Sequence, residues 1–408
     1  MSAGKPRTLR PPHPPHPPPE GSSSLGVEDE PTPPASAEEP GLSSLLRRGV
    51  KAAIARWAVR RRSPEIWPRP QDEAPHPWDG RRHFAEDYTL AAVQPGLAVV
   101  ARVEWLPDRE THRVWLTLLT PTAVYALPGT GQVLLRGAGD HWRAGGVEFD
   151  CVEPLRRWTL RYHGRLEIRD PGGQRRRFDD EELPAEDLEV RVDLTFLSQL
   201  PAFVPGSDDD PDLLSRQLGA AEWDARLLRV LRRNGSRSYV QVGEVHGAVT
   251  LGSAGASESV VPEAPRLIAF RGAGLRQHGW GVRDWGVSDE AVHCFAAMSS
   301  QARVWVHQAR FPWLTLTGGF VQRAAGVVPI RDLGVRATRL PGRAPSHVGL
   351  HVEAPGGALV LETETAAQLS LDMDGRGRLD LALCRVRGGD GSDGWGILVQ
   401  QQRLVARS

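Results

Sequence analysis

From about residue 85 to the C-terminus, the chain consists of short apolar segments that turn-forming residues interrupt every few positions. Val, Leu, Trp and Thr fill the segments and Gly, Pro and Asp separate them, a pattern typical of antiparallel strands joined by tight turns. The strand candidates are 97–106, 112–119, 155–166, 187–196, 237–252, 266–271, 302–310, 313–321, 345–353, 357–363, 377–386 and 394–405. Strands at this spacing predict β-barrels or β-sandwiches rather than βαβ units.

The length of 408 residues favours two domains. One stretch, 206–235, departs from the β pattern. It begins with three aspartates and Pro211, which suit a helix N-terminus, and it ends at Asn234-Gly235, which suits a helix C-terminus. We therefore predict a helical linker over 206–235, between a first β domain at 85–205 and a second β domain at 236–408.

The N-terminal 40 residues differ in composition from the rest of the chain. They hold 12 of the 34 prolines, including the run PPHPPHPPP. Such a segment buries too little apolar surface to offset the entropy lost on ordering. We predict a disordered Pro-rich tail over 1–40, which is either inert or a docking ligand for an SH3-type partner.

Residues 41–84 are predicted to contain a basic amphipathic helix and a linker. The segment 41–62 carries seven positive charges and no negative charge, and apolar residues recur in it at helical spacing. This pattern suits an anionic membrane surface, with docking on the protein body or a partner, or disorder, as alternatives. The residues expected to contact a membrane are Leu46, Val50, Trp57, Arg60 and Arg61.

The overall composition excludes several classes of function. Basic and acidic residues number 50 each, so no net charge points to a nucleic-acid partner. Cys151, Cys294 and Cys384 are far apart and form no CxxC pair, which argues against disulfides and structural zinc. The chain contains neither an apolar run of membrane-spanning length nor a signal-peptide pattern. We expect a cytoplasmic protein without cofactor or metal, with peripheral membrane association as an alternative location.

The most unusual stretch is RGAGLRQHGWGVRDWG at 271–286, in which glycines alternate with large polar and aromatic residues. If this run is extended, alternate side chains share a face, with His278, Trp280, Val282 and Asp284 on one side and Gln277, Arg283 and Trp285 on the other. His278 and Asp284 would then lie about 20 Å apart. They form an acid–base pair only if Gly279 and Gly281 bend the chain. The alternative is a structural corner.

The same run resembles the signature G-x-R-D-H-S-W-G-x-R-D-W of the AttH/carotenoid-hydratase-like superfamily. Residues 152–164 and 239–247 are similar to further elements of that family. The resemblance implies a mainly β fold of two lipocalin-like barrel or sandwich domains, and a substrate that is unsaturated or isoprenoid-like. The chain departs from the signature at Gln277, where the family has an acid, and at Gly279, where it has serine.

Three functions remain open at this stage, and whether the chain is an enzyme is one of the open questions. The first is binding or carrying an apolar small molecule or lipid in a β-domain cavity, close to a membrane surface. The second is a hydratase or isomerase with His278 and Asp284 as catalytic residues. The third is a scaffold that recruits partners through its Pro-rich tail. The predicted ligand-binding residues are Tyr239, Gln241, Arg276, Trp280, Arg283 and Trp285.

Overall fold

The computed structural model describes residues 49–54, 56, 68–136, 142–175, 177–178, 181–182, 187–198, 200–221, 223, 236–254, 265–283, 288–338 and 345–404. All of these belong to one unit, Leu46–Ser408. The predicted disordered tail, 1–40, lies outside the described residues. The prediction of a mainly β chain is confirmed, because strands make up most of the described residues.

The first part of the chain forms one large antiparallel sheet. Its strands are β1 (Phe84–Gln94), β2 (Leu97–Leu106), β3 (Thr111–Leu119), β4 (Val124–Ala126), β5 (Gln132–Arg136), β6 (Arg143–Ala144), β7 (Val147–Glu153), β8 (Arg157–Arg169), β11 (Asp187–Leu197), β12 (Arg237–Ala254) and β13 (Arg266–Val282). Between β8 and β11, β9 (Arg177–Phe178) and β10 (Glu181–Glu182) form a separate two-stranded ribbon. Strand β11 pairs with both β12 and β8. These two pairings close a barrel of eight strands in the order β11-β12-β13-β1-β2-β3-β4-β8.

Alternation of apolar and polar residues along β11 shows which face of the sheet encloses the core. In β11 every second residue is buried and the residues between are mostly exposed, so one face points into the barrel. The interior is filled by large side chains that are at most 2% exposed: Leu116, Trp158, Leu160, Leu194 and Phe196. The barrel therefore has a packed core over these residues.

The remaining strands form a second antiparallel sheet. They are β14 (Glu290–Met298), β15 (Arg303–Phe311), β16 (Leu314–Arg323), β17 (Gly326–Pro329), β18 (Asp332–Thr338), β19 (His347–Ala354), β20 (Gly357–Met373), β21 (Gly377–Gly388) and β22 (Asp393–Arg403). Their order is β17-β16-β15-β14-β22-β21-β20-β19-β18, which leaves β17 and β18 as edges. One face of this sheet packs on the outside of the barrel, where Val100, Trp115 and Leu275 share an apolar cluster with Leu381 and Ile397.

The boundary between the two sheets along the chain does not lie at the predicted linker. Strands β12 and β13 belong to the barrel, and β13 pairs with almost the whole length of β1. The sheets are therefore divided between Val282 and Glu290, whereas the predicted domains were 85–205 and 236–408. The reason is topological, since two strands from beyond the helix return to complete the barrel.

The helical elements are short. An α-helix spans Pro211–Ala220 and begins as predicted, with the Asp210 side chain accepting hydrogen bonds from the backbone N–H groups of Asp212 and Leu213. Two 3-10 helices span Pro70–Glu73 and Pro107–Arg109. The second of these forms the turn between β2 and β3.

Part of the basic segment is described as well. Residues 49–54 are helical, and Lys51 Nζ donates to the carbonyl oxygen of Ala221 at 3.1 Å. Arg56 forms an ion pair with Asp212 at 2.9 Å. Both contacts fit the docking alternative.

Of the predicted membrane-contact residues, Val50 is 60% exposed, whereas Leu46, Trp57, Arg60 and Arg61 lie outside the residues whose side chains are described. Membrane contact stays a prediction. No helix among the described residues is long and apolar enough to cross a membrane.

Candidate functional site

Strand β13 separates two environments, because its alternate residues point to opposite faces. His278 lies in register with Tyr88 on β1 and with Tyr239 on β12. Its ring stacks on Tyr88 inside the barrel, with ring centroids 4.1 Å apart. On the other face, Leu275 and Gln277 point toward the second sheet and line a cavity there.

The inward face carries a buried polar cluster at the end of the barrel where β1 begins. The guanidinium of Arg276 binds both carboxylate oxygens of Glu73, at 2.7 and 2.8 Å, and both side chains are at most 3% exposed. The hydroxyl of Tyr239 donates to Glu73 Oε1 at 2.8 Å, and that of Tyr88 donates to the Glu73 carbonyl oxygen at 2.7 Å. Gln241 accepts from Arg276. The 3-10 helix Pro70–Glu73 is thereby fixed to the barrel.

A second carboxylate, Glu86, lies next to His278 in the same cluster. Glu86 Oε1 lies 3.1 Å from Nε2 of His278 and 2.8 Å from Nδ1 of His76. The backbone N–H of His76 also donates to both Glu86 oxygens. The His76 ring stacks on Trp280 with centroids 3.7 Å apart. The two histidines and the carboxylate are therefore held in fixed orientations.

Burial and pairing shift the acidity of these groups in a defined direction. Burial raises the pKa of Glu86, but the neighbouring His278 and His76 rings outweigh this and lower it below the ordinary value. Burial lowers the pKa of His278, and the neighbouring Glu86 only partly offsets that effect. An ionised carboxylate next to an imidazole with lowered proton affinity is an arrangement able to accept a proton or a cation.

The structure brings together most of the predicted site residues. Tyr239, Gln241, Arg276, His278 and Trp280 all belong to the inward cluster, as described above. Arg283 lies on the other side and lines the cavity between the sheets. Asp284 and Trp285 lie outside the described residues, so the proposed His278–Asp284 pair stays a prediction.

Four residues of the cluster, including both of its carboxylates, were not predicted from the sequence. Glu73, His76, Glu86 and Tyr88 were not among the predicted residues, although each contacts another member of the cluster. A local signal existed for β1, because Glu86 and Tyr88 occupy alternate positions of a strand that is buried at nearly every position. Polar residues with a period of two on a buried face indicate an internal polar site.

An ionic network lies on the opposite face of β1. The carboxylate of Asp87 is fully buried and pairs with Arg283 and, at 3.5 Å, with Arg102. Arg102 also binds Glu104 at 2.6 Å and lies 4.9 Å from the centre of the Trp115 ring. These charges form one wall of the space between the barrel and the second sheet.

That space is a cavity of about 340 Å³. The barrel contributes Trp115 and Leu275 to its lining, and the second sheet contributes Trp305 and Leu381. Polar side chains are fewer and include Arg102, Arg283, Gln277, His293 and Gln401. An apolar cavity with a few polar groups is the usual form of a small-molecule site.

Two histidines beside the cavity make stability depend on pH. Burial, together with His307 and Arg102, lowers the pKa of His293 to about 3, and burial lowers the pKa of His307 to about 4. Both groups titrate near pH 6.5 when unfolded. Their contribution to stability is complete above that pH and is lost as pH falls toward the folded values, because the unfolded chain then binds more protons.

We therefore expect the free energy of unfolding to fall by about 2–4 kcal/mol between pH 7 and pH 5. Below the unfolded pKa, each histidine loses about 1.4 kcal/mol for each pH unit, and the lower end of the range allows for partial contact of the rings with solvent. Urea titrations at several pH values measure this. The double variant His293→Gln, His307→Gln should show a much flatter dependence. Equal stability of the wild type at both pH values would contradict the assignment.

Comparisons with known proteins agree with this fold. A family model described as a domain of unknown function, DUF7064, matches residues 69–403. No curated protein matches the chain. A solved structure provisionally assigned as AttH, from Nitrosomonas europaea, is similar with a TM-score of 0.51 and 12% identity, over 84% of this chain and 98% of that one. At this identity the similarity concerns the fold.

Two further solved structures are similar at a lower level. CghA in complex with Sch210972 has a TM-score of 0.47 and 11% identity, over 78% of this chain and 88% of that one. Kievitone hydratase from Nectria haematococca has a TM-score of 0.45 and 9% identity, over the same shares. Neither score supports a functional argument. The resemblance to the AttH/carotenoid-hydratase-like superfamily is confirmed for the fold, and the chain belongs to the DUF7064 family.

Proposed function

We propose that the chain binds an apolar small molecule with a polar or anionic end in the cavity between the barrel and the second sheet. The observation that carries this proposal is the cavity itself, whose volume of about 340 Å³ falls within the range of ligand sites. Its walls come from both sheets, with Trp115 facing it from β3 and Trp305 from β15. Flat aromatic walls suit lipids and isoprenoid-like molecules.

The polar groups of the cavity support a ligand with one polar end. Arg102 and Arg283 share the carboxylate of Asp87, and both side chains line the cavity. Gln277 and Gln401 supply neutral donors and acceptors on the same lining. A carboxylate, hydroxyl or carbonyl at one end of the ligand would find partners here, while its apolar part contacts the tryptophans.

The hydratase alternative has weaker support, because His278 points into the barrel and is not part of this lining. A ligand in the cavity would lie on the opposite face of β13 from His278 and Glu86. His293 does line the cavity, but its lowered pKa makes it a poor proton donor at neutral pH. Binding without chemistry is therefore the better-supported function.

A matched pair of variants on one strand tests the proposal. Leu275 lines the cavity and is 9% exposed, whereas Leu267 on the same strand is 68% exposed. The fluorescent probe 1-anilinonaphthalene-8-sulfonate combines an apolar body with an anionic end. We expect Leu275→Trp to weaken the binding of the probe by about tenfold or more, because the larger side chain takes up space in the cavity. A loss of about 1.4 kcal/mol of binding free energy corresponds to a tenfold loss of affinity. Leu267→Trp should bind like the wild type.

Fluorescence titration of the full chain gives both dissociation constants, and circular dichroism confirms that each variant is folded. Wild-type affinity in the Leu275→Trp variant would place the probe elsewhere and overturn the proposal. Failure of the wild type to bind the probe stoichiometrically would have the same consequence.

A further inference from the structure

We propose that His76, Glu86 and His278 form a binding site for a divalent transition-metal ion, and Zn²⁺ is the ion that we expect to fit best. One nitrogen of each histidine and one oxygen of the carboxylate lie within 4.8 Å of one another. Imidazole and carboxylate are ligand types that Zn²⁺ commonly takes. The site is distinct from the ligand cavity, on the opposite face of β13.

The hydrogen bonds around His278 indicate that a positive charge is needed at this point. Both carboxylate oxygens of Glu73 accept from Arg276, and the hydroxyl of Tyr239 gives its single hydrogen to Glu73 Oε1. The tyrosine oxygen, 3.2 Å from Nδ1 of His278, is then an acceptor for that ring nitrogen. An uncharged ring that donates through Nδ1 has a lone pair on Nε2.

That lone pair faces an acceptor. Nε2 of His278 lies 3.1 Å from Glu86 Oε1, and an ionised carboxylate has only lone pairs to offer. The contact is repulsive unless a proton or a metal ion lies between the two atoms. A second imidazole, His76, approaches the same oxygen at 2.8 Å. A metal ion would satisfy all three groups at once, whereas without one each imidazole has to supply a hydrogen of its own to the same carboxylate oxygen.

The distances fit the size of the ion. Bonds of about 2.0–2.1 Å in a tetrahedral zinc site place ligand atoms about 3.3 Å apart. The present separations from Glu86 Oε1 are 2.8 and 3.1 Å, so an opening of a few tenths of an ångström is sufficient there. The two imidazole nitrogens now lie within 4.8 Å of each other and have to come to a similar spacing of about 3.3 Å. His76 follows the short helix Pro70–Glu73, is outside any strand and has a side chain that is 20% exposed, so a ring shift of this size does not require the strands to move.

The surroundings resemble the support that metal ligands usually have. The second nitrogen of His278 is oriented by Tyr239, which is in turn fixed by Glu73 and Arg276, and such outer contacts set the tautomer of a ligating histidine. Tyr88 and Trp280 stack on the two imidazoles. Three protein ligands leave a fourth position for water or another small ligand.

Metal content and spectroscopy of the full chain test the proposal. The protein carries His13→Ala and His16→Ala, which removes the two tail histidines as competing ligands. After chelation and dialysis against Zn²⁺, we expect about one equivalent per chain by mass spectrometry of the metal. Co²⁺ in the same site should give the intense visible absorption of tetrahedral coordination.

The variants separate ligation from stability. His76→Ala and Glu86→Gln should each abolish stoichiometric binding, and Tyr239→Phe should weaken it by about 10–100-fold through loss of the orienting contact. His163→Ala is the matched control, because His163 contacts Glu189 at 2.9 Å on the exposed surface, and it should bind like the parent. Retention of one equivalent by His76→Ala and Glu86→Gln would overturn the proposal. Absence of bound Zn²⁺ and Co²⁺ in the parent would do so whether or not the variants fold.

Discussion

Replacing Glu73 by glutamine is expected to lower the free energy of unfolding by about 3–5 kcal/mol, because the change leaves the buried charge of Arg276 without its partner. The neutral amide keeps the size of the side chain, so the loss reports the charge and its two hydrogen bonds to the guanidinium. Arg276 is 2% exposed, so bulk water cannot replace the lost carboxylate as a partner of the guanidinium. The loss should appear as a lower urea midpoint with a nearly unchanged slope.

The control for this change is Glu153→Gln. Glu153 pairs with Arg156 at 2.9 Å, but the two side chains are 45% and 64% exposed. Surface pairs of this kind contribute about 0–1 kcal/mol. If Glu73→Gln cost no more than Glu153→Gln, the buried pair would not be what fixes the helix Pro70–Glu73 to the barrel.

Replacing Asp87 by asparagine is the second change with a large expected effect, about 3 kcal/mol, since two arginines lose a buried counter-charge. Arg102 keeps Glu104 as a partner, which places the cost at the lower end of the range. Asp193→Asn is the control, because Asp193 and Arg191 are both more than half exposed and lie 3.9 Å apart. A comparable loss in both variants would rule out burial as the reason.

The same aspartate has a predictable pH dependence. Burial raises the pKa of Asp87, but the charges of Arg102 and Arg283 outweigh it and hold the pKa below the ordinary value. A lowered carboxylate pKa stabilises the fold fully above the unfolded value, about pH 3.9, and this contribution is lost as pH falls through the folded value. The stability difference between wild type and Asp87→Asn should therefore be constant near neutrality and should shrink only below about pH 4.

The fold was predictable from sequence where alternation was strict. Strand β11 was predicted at 187–196 and spans Asp187–Leu197, because every second residue is apolar and the signal is local. The predicted strand at 266–271 was too short, since β13 continues to Val282. The glycine-rich run was considered both as an extended strand and as a structural corner, and in the structure it is extended as far as Val282.

The glycines of β13 instead mark close packing. A Cβ atom on Gly272 would lie 2.2 Å from the carbonyl oxygen of Val93, and one on Gly274 would lie 2.4 Å from a methyl carbon of Val245. Side chains are excluded there because neighbouring residues come close, a cause that no pattern within the strand expresses. Alternation along the run therefore grouped His278 with Trp280, which do lie together, but the predicted strand was too short.

The partners of His278 were beyond the reach of sequence patterns. Glu86 lies 192 positions away along the chain, and the two residues meet because β13 pairs with β1 when the barrel closes. Glu73 comes from a short helix that precedes every strand. Long-range pairing of this kind follows from the strand topology. The predicted domain boundaries assigned β1 and β13 to different domains and so did not include this pairing.

The most direct measurement is a crystal structure of the full chain with a bromine-labelled dodecanoic acid, in which anomalous scattering locates the label without bias. The account predicts a bromine peak between Trp115 and Trp305, with the carboxylate close to Arg102 or Arg283. A peak inside the barrel beside His278, or an ordered structure without a peak at saturating ligand, would contradict it.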